Sequence, residues 1–275
     1  MIKKILTFII TFLLLTSLVK ADQITLIGTD SKGESKRSDA DFILIITIKG
    51  NEVKTTAMMI DTYVYIKGYG NQKLKSAYRL GGEELVVSTI NANFKTNLVS
   101  SIVTDFNNVG PVIDSFGGLS ITINKNIHQY VNAYIEKQTN LDGSLLPLTR
   151  TGDLKLSGDQ ALAYARVIVP GTVYNDYARI ERQKMVTKAM LTYVLKNKSI
   201  ALRNSSHLLA LINTNLNLGN YFEAVSTFLN KPSLPKSSVF PIEGSYTTKW
   251  ISKKVSILKI NNFAKASIGL KRLID

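Results

Sequence analysis

The chain has 275 residues, 45% hydrophobic and 20% charged, which is the composition of a folded domain with room for one sizeable core. Lys and Arg number 34 against 20 Asp and Glu, a formal charge of +14 that favours acidic partners and says nothing about fold. Cysteine is absent, which excludes disulfides, thiolate metal sites and a cysteine nucleophile, and the 2 histidines, His128 and His207, are too far apart in sequence to suggest a histidine-based metal site.

Residues 1–21 place Lys3 and Lys4 before an apolar run from Ile5 to Val19 and close on Val19-Lys20-Ala21, a small-residue cleavage pattern. The run is shorter than the ~20 residues of a full span, so a cleaved signal peptide and an uncleaved N-terminal anchor both fit. Either one exports residues 22–275, read here as a single domain. An exported basic domain meets anionic lipid head groups and phosphate-rich wall polymers, not nucleic acid.

Ile24 to Gly28 reads as a short strand, and Phe42 to Ile48 (FILIITI) as a strand apolar on both faces and therefore covered on both. Val53 to Ile60 and Thr62 to Ile66 read as further strands with Asp61 between them, and Lys67 to Asn71 as a loop. Gly82 to Asn91 is helical, Leu98 to Phe106 extended, Asn107 to Ser115 a short helix closed by Gly117-Gly118, and Leu119 to Ile123 a strand. From Asn124 to Gly152 the pattern is weak, with one short helix near Val131 to Glu136 and otherwise loops. Ser157 is placed to cap a helix over Gly158 to Arg166, and Asp176 opens a long helix from Tyr177 to Lys196. Helices near Ser206 to Leu211 and Tyr221 to Leu229, a strand at Val255 to Ile260 and a basic tail helix complete the chain. Interspersed strands and helices with fully apolar central strands predict an α/β domain: a layered α-β-α arrangement with a mixed central sheet flanked by helices.

Three polar clusters interrupt the apolar pattern at predicted element ends: Asp30 with Arg37, Asp39 and Asp41; Asp61; and Arg166 with Asp176, Arg179, Arg182 and Gln183. Carboxylates suit Mg²⁺ and guanidinium forks suit phosphate oxygens, so this residue set fits a divalent cation with a phosphate group. Arg179, Arg182 and Gln183 can share one helix face. A solvated, salt-bridged helix surface is the alternative reading of the same residues. The basic C-terminal stretch, with Lys249, Lys259, Lys265, Lys271 and Arg272 among its charges, reads as solvated surface or, second, as an anion-binding track. No nucleophile elbow, Walker A loop or G-x-G-x-x-G fingerprint occurs.

At these residues the chain resembles the LytR-CpsA-Psr family of cell-wall enzymes. The similarity runs from Ile24-Thr25-Leu26-Ile27-Gly28-Thr29-Asp30 to about Val194, and more weakly through Phe240-Pro241-Ile242-Glu243-Gly244. In order, it rests on Arg37-Ser38-Asp39, Asp61-Thr62-Tyr63-Val64, Lys73 to Tyr78 with Gly81-Gly82, Val112 to Leu119, Leu156 to Arg166, and Asp176 to Gln183.

The resemblance implies a protein outside the membrane, at the extracellular face of the cytoplasmic membrane or in the cell wall. It implies an apolar cleft for a polyprenyl lipid, and Mg²⁺-dependent transfer of a glycopolymer from a polyprenyl-pyrophosphate carrier to peptidoglycan. By position, Asp30 and Asp39 would ligate the metal. Arg37, Arg166, Arg179 and Arg182 would clamp phosphate, and Gln183 would assist directly or through a neighbour. Asp61 would orient an arginine or a water, and Arg37 and Asp39 would act on the acceptor hydroxyl. Two departures stand out: Met59-Ile60 replaces the family's Pro-Arg, and Ile168 replaces its second arginine after the one at 166. A non-catalytic binder of polyprenyl phosphate or anionic wall polymer is therefore the alternative.

Overall fold

The fold follows from strands apolar on both faces, which must be sandwiched. The computed structural model of the chain describes residues 23–29, 37–49, 52–139, 146–167, 169, 175–199, 212–230, 236–252 and 255–275. The strands, in chain order, are β1 (Gln23–Thr29), β2 (Ala40–Lys49), β3 (Glu52–Met58), β4 (Thr62–Ile66), β5 (Gly70–Lys73), β6 (Ser100–Asp105), β7 (Leu119–Ile123), β8 (Gly152–Leu156), β9 (Ile212–Thr214), β10 (Lys236–Phe240), β11 (Tyr246–Ser252) and β12 (Val255–Ile260). The helices are α1 (Ser76–Phe94), α2 (Phe106–Ser115), α3 (Lys125–Thr139), α4 (Gly158–Arg166), α5 (Asn175–Lys196), α6 (Leu218–Leu229) and α7 (Phe263–Ile274).

A six-stranded sheet in the order β10-β3-β2-β1-β6-β9 forms the centre. It is mixed: β1 runs parallel to β6 and β10 parallel to β3, while β1–β2, β2–β3 and β6–β9 are antiparallel. On one face α1 and α7 cover it, with Ile27, Ile43, Ile45 and Met58 packing against Ile90, Phe94 and Leu270. On the other, α2 approaches β6 and α6 approaches β2. The layered α/β architecture expected from the apolar strands is the one present.

A four-stranded sheet, β11-β12-β4-β5, and a two-stranded one, β7-β8, complete the sheets. The second core gathers β7 and β8 with α3, α4 and α5 through Ile121, Ile123, Val131, Ile135, Ala161 and Val186. The start of α4 is fixed twice. Ser157 and Gln160 form a reciprocal capping box, each side chain bonded to the other's backbone N–H at 3.3 and 3.0 Å. Gly158 also meets α2 so closely that a Cβ there would lie 2.1 Å from the Gly110 carbonyl oxygen.

Several elements differ from the sequence reading. The weakly patterned region contains the full helix α3, because Ile127, Val131 and Ile135 recur every fourth residue and are all buried. The segment read as a loop at 67–71 turns into β5, which pairs with β4. The helix expected to start at Gly82 starts at Ser76, with a kink at Gly81-Gly82. β8 and β10 were not anticipated, since neither carries a run of apolar residues. The expected helix at 206–211, with His207, lies outside the described residues, as does the N-terminal segment 1–21. No helix among the described residues is long and apolar enough to cross a membrane.

Candidate functional site

The C-terminal ends of β1, β3, β6 and β10 and the start of β2 lie along one edge of the central sheet, as their registers require: Thr29 stands opposite both Ala40 and Asp105, and Phe240 opposite Met58. Strand ends of this kind are where α/β sheets place ligands. The segment Arg37-Ser38-Asp39 enters β2 at this edge. Two backbone bonds pin it there. The Ala40 N–H donates to the Lys75 carbonyl at 3.1 Å, and the Lys75 N–H donates to the Ile60 carbonyl at 3.0 Å.

Arg37 lies against the α1 kink. Gly82 has φ +71°, and a Cβ built on it would come within 3.3 Å of the Arg37 guanidinium carbon. The glycine pair thus serves two needs, a backbone conformation closed to L side chains and space for a guanidinium. Asp39 accepts a hydrogen bond from Arg79 Nε at 2.9 Å at the surface. Tyr78 sits in the same neighbourhood. Burial pushes its hydroxyl above the ordinary 10.0, the charges of Glu83 and Asp105 push it further, and Arg37 pulls it back.

Asp61 is 7% exposed, and its Oδ1 is shared by Lys73 Nζ at 2.9 Å and Lys75 Nζ at 3.2 Å. The β4–β5 hairpin brings both lysines to it. Ile60, in the position of the family's arginine, is buried in the main core and offers no donor to the edge.

α5 reaches the same edge through Ile180, which packs on Met59 and Leu258. Arg179 and Gln183 flank that contact on α5, and Arg166 ends α4. All three are half-buried. Arg182 behaves differently. It is 7% exposed, its Nε donates to the Tyr164 carbonyl at 3.1 Å, and its Nη2 donates to the Val167 carbonyl. The expected phosphate clamp is here engaged with backbone oxygens left over at the end of α4. Burial pulls the Arg182 guanidinium below its ordinary pKa; the nearby Tyr164 offsets this and the charge of Arg179 adds to it. Burial likewise raises Tyr164, whose hydroxyl donates to Met185 Sδ at 3.3 Å.

Behind this edge an apolar cavity of about 410 Å³ runs between the central sheet and helices α2, α5 and α6. Leu26, Ile46 and Ile102 line it from the sheet, and Val109, Val186 and Met190 from the helices. It extends to Met58, at the end of β3 three residues before Asp61, to Ala165, the neighbour of Arg166, and to Gln183.

Asp30 and the side chain of Asp176 fall outside the described residues. Among the described residues no group of three or more His, Asp or Glu gathers into a metal cage. Mg²⁺ is commonly held by only one or two carboxylates together with substrate phosphates, and Asp39, at the surface of the edge, is a donor of the required kind. Sequence reasoning missed Asp105, Arg79 and Lys75. Asp105 was detectable as a carboxylate ending an apolar strand; the other two become visible only through their partners.

The LytR_cpsA_psr family model matches residues 17–267, and the chain belongs to that family. It is 26% identical over 244 residues to the regulatory protein MsrR of Staphylococcus aureus (strain COL), covering 86% of this chain and 70% of MsrR. It is 28% identical over 170 residues to the polyisoprenyl-teichoic acid–peptidoglycan teichoic acid transferase TagU of Bacillus mycoides (strain KBAB4), covering 61% of this chain and 51% of TagU. The crystal structure of B. subtilis TagT superposes with a TM-score of 0.68 at 20% identity, over 92% of this chain and 90% of TagT. TagT with bound octaprenyl pyrophosphate lipid superposes at 0.65 and 21% identity, over 92% of this chain and 89% of that one. These likenesses fix the fold.

Proposed function

We propose that this chain transfers a glycopolymer from a polyprenyl-pyrophosphate carrier to peptidoglycan. The observation that carries this reading is the apolar cavity whose lining ends beside guanidinium and carboxylate groups at the strand ends. That pairing suits a molecule with a long hydrocarbon tail and a diphosphate head. A carrier of that kind is the lipid bound by TagT, and teichoic acid transfer to peptidoglycan is the activity that gives TagU its name.

The acceptor hydroxyl oxygen forms a new bond to the phosphorus bearing the glycopolymer. The bond from that phosphorus to the bridging oxygen breaks, and polyprenyl phosphate leaves with the electron pair. Asp39 is the carboxylate assigned to take the hydroxyl proton, with Arg37 beside it. Arg166, Arg179 and Gln183 orient the diphosphate at the cavity end, because phosphoryl transfer is mostly a matter of positioning and charge. Asp39, with Asp30, would hold Mg²⁺, which when bound supplies neutralising charge to the diphosphate oxygens. Arg182 is assigned to holding α4 against α5, and Asp61 to holding Lys73 and Lys75. Residues 1–21 are assigned to export or anchoring, which sets residues 22–275, a single domain, at the extracellular face of the membrane.

The test is incubation with lipid-linked glycopolymer and peptidoglycan. Metal-dependent transfer is expected, reduced in Arg166→Gln, Arg179→Gln and Asp39→Asn variants. A second reading, a binder of polyprenyl phosphate without transfer, draws on Ile60, whose buried side chain leaves the edge one cation short of the family pattern. Tight lipid binding with no transfer under any metal would select it.

A further inference from the structure

The β11–β12 hairpin carries an exposed apolar surface that the site does not use. Trp250 is 64% exposed, Ile251 61% and Val255 38%. Lys249 and Lys259 are exposed on the other face of the hairpin, opposite Ile257 and Thr247, and no acidic residue occurs between Tyr246 and Ile260. β11 is the outer strand of its sheet. The lysines and the register shift between Trp250 and Ser252 are ordinary ways of blunting such an edge. An exposed indole next to an exposed isoleucine has the opposite effect, and protection of the edge does not explain it.

The hairpin's position supplies the missing reason. The Leu258 N–H donates to the Asp61 carbonyl at 3.0 Å, and Leu258 pairs with Thr62, the first residue of β4. Residues 255–257 therefore precede the start of β4 and pair only with β11. At ~3.3 Å per residue the described part of β12 extends about 10 Å past the level of Thr62. It leaves the body at the edge where the apolar cavity ends.

We infer that the β11–β12 hairpin docks on a bilayer surface containing anionic phospholipid. The hairpin meets the leaflet end-on: Trp250 and Ile251 enter the interfacial layer from one side, and Lys249 and, farther back, Lys259 reach head-group phosphates from the other face. Tryptophan has the amphipathic ring favoured at that depth. Two lysines at an anionic surface contribute roughly thirty-fold to partitioning. Docking at this point would turn the cavity end toward the leaflet. It does not depend on transfer: a chain that docks without transferring, or transfers without docking, separates the two readings.

Trp250 is the chain's single tryptophan, so its emission reports this hairpin alone, even where residues 1–21 hold the protein on a vesicle. The full-length chain is mixed with phosphatidylcholine vesicles with or without phosphatidylglycerol. With phosphatidylglycerol, emission is expected to shift to shorter wavelength, lose accessibility to acrylamide and be quenched by brominated lipid. About 1 M salt, where the screening length is ~3 Å, and the Lys249→Glu/Lys259→Glu variant should each reverse these changes. Emission unchanged and fully open to acrylamide on every vesicle overturns the inference. An equal response to phosphatidylcholine alone removes the anionic lipid from it. Protection by soluble peptidoglycan fragments instead of vesicles makes the hairpin a sugar-stacking surface. Protection that grows with protein concentration without lipid makes it a contact between copies; either result replaces the membrane.

Discussion

Replacing Arg182 with Met removes a guanidinium while keeping an unbranched stem between α4 and α5. Arg182 gives one bond each to the Tyr164 and Val167 carbonyls. Bonds of a charged donor to a neutral acceptor contribute about 1.5–3 kcal/mol each, so the pair contributes ~3–6 kcal/mol. Part of this is offset, because the variant no longer buries a charge, and the burial that lowers the Arg182 pKa is that same penalty. A net loss of about 2–4 kcal/mol is expected, which at ~2–4 °C per kcal/mol lowers Tm by roughly 4–16 °C. Thermal unfolding followed by circular dichroism, run beside a polyprenyl phosphate binding assay, reads both quantities. Arg166→Gln and Arg179→Gln serve as the contrast and should lose binding with far smaller changes in Tm. An Arg182→Met protein that melts like the parent but no longer binds the lipid would refute the positioning role and make Arg182 a phosphate ligand.

Gly158→Ala would set a Cβ 2.1 Å from the Gly110 oxygen and 2.6 Å from its Cα, all backbone, so α2 and α4 must separate; a loss of about 3 kcal/mol in urea unfolding is expected. Gly110→Ala meets first a side-chain oxygen, of Asp159 at 3.2 Å, and should cost clearly less in the same experiment. Asp61→Asn leaves Lys73 and Lys75 facing each other without their shared carboxylate. Because both lysines keep some solvent contact, the expected loss is about 1–3 kcal/mol, below the range for a fully buried pair, and added salt should recover part of it. Tyr78, Tyr164 and Tyr221 are all raised by burial above 10.0. Above about pH 10 the unfolded chain releases tyrosine protons that the folded chain retains, so stability should fall as pH rises through that value. Absorbance titration of tyrosinate against an unfolding signal checks this: late-ionising tyrosines should appear together with loss of structure.

Local patterns were legible where one segment suffices to state them. The FILIITI run announced a strand covered on both faces, Ser157 the cap of a helix over 158–166, and the apolar face after Asp176 a long helix. The ordered motifs, none decisive alone, announced the family. The candidate site was legible as a set of residue types. Of the α3 helix only the part near Val131 to Glu136 was, because its buried stripe is narrow and interrupted by Tyr, Asn and Lys, which weakens the periodic signal over 124–139.

Which charges are already engaged could only be settled by segments distant in sequence. Arg179, Arg182 and Gln183 look alike as polar positions on one helix, yet the end of α4 claims Arg182 for two carbonyls. Asp61 looks like an isolated carboxylate until the β4–β5 hairpin returns Lys73 and Lys75 to it. Asp105 reaches the edge opposite Thr29 only because β6 runs parallel to β1. Periodicity states which face of an element is buried, and it is silent about the element lying opposite. Whether a charged group meets a carbonyl, a counter-charge or an open edge is decided by where those other segments end.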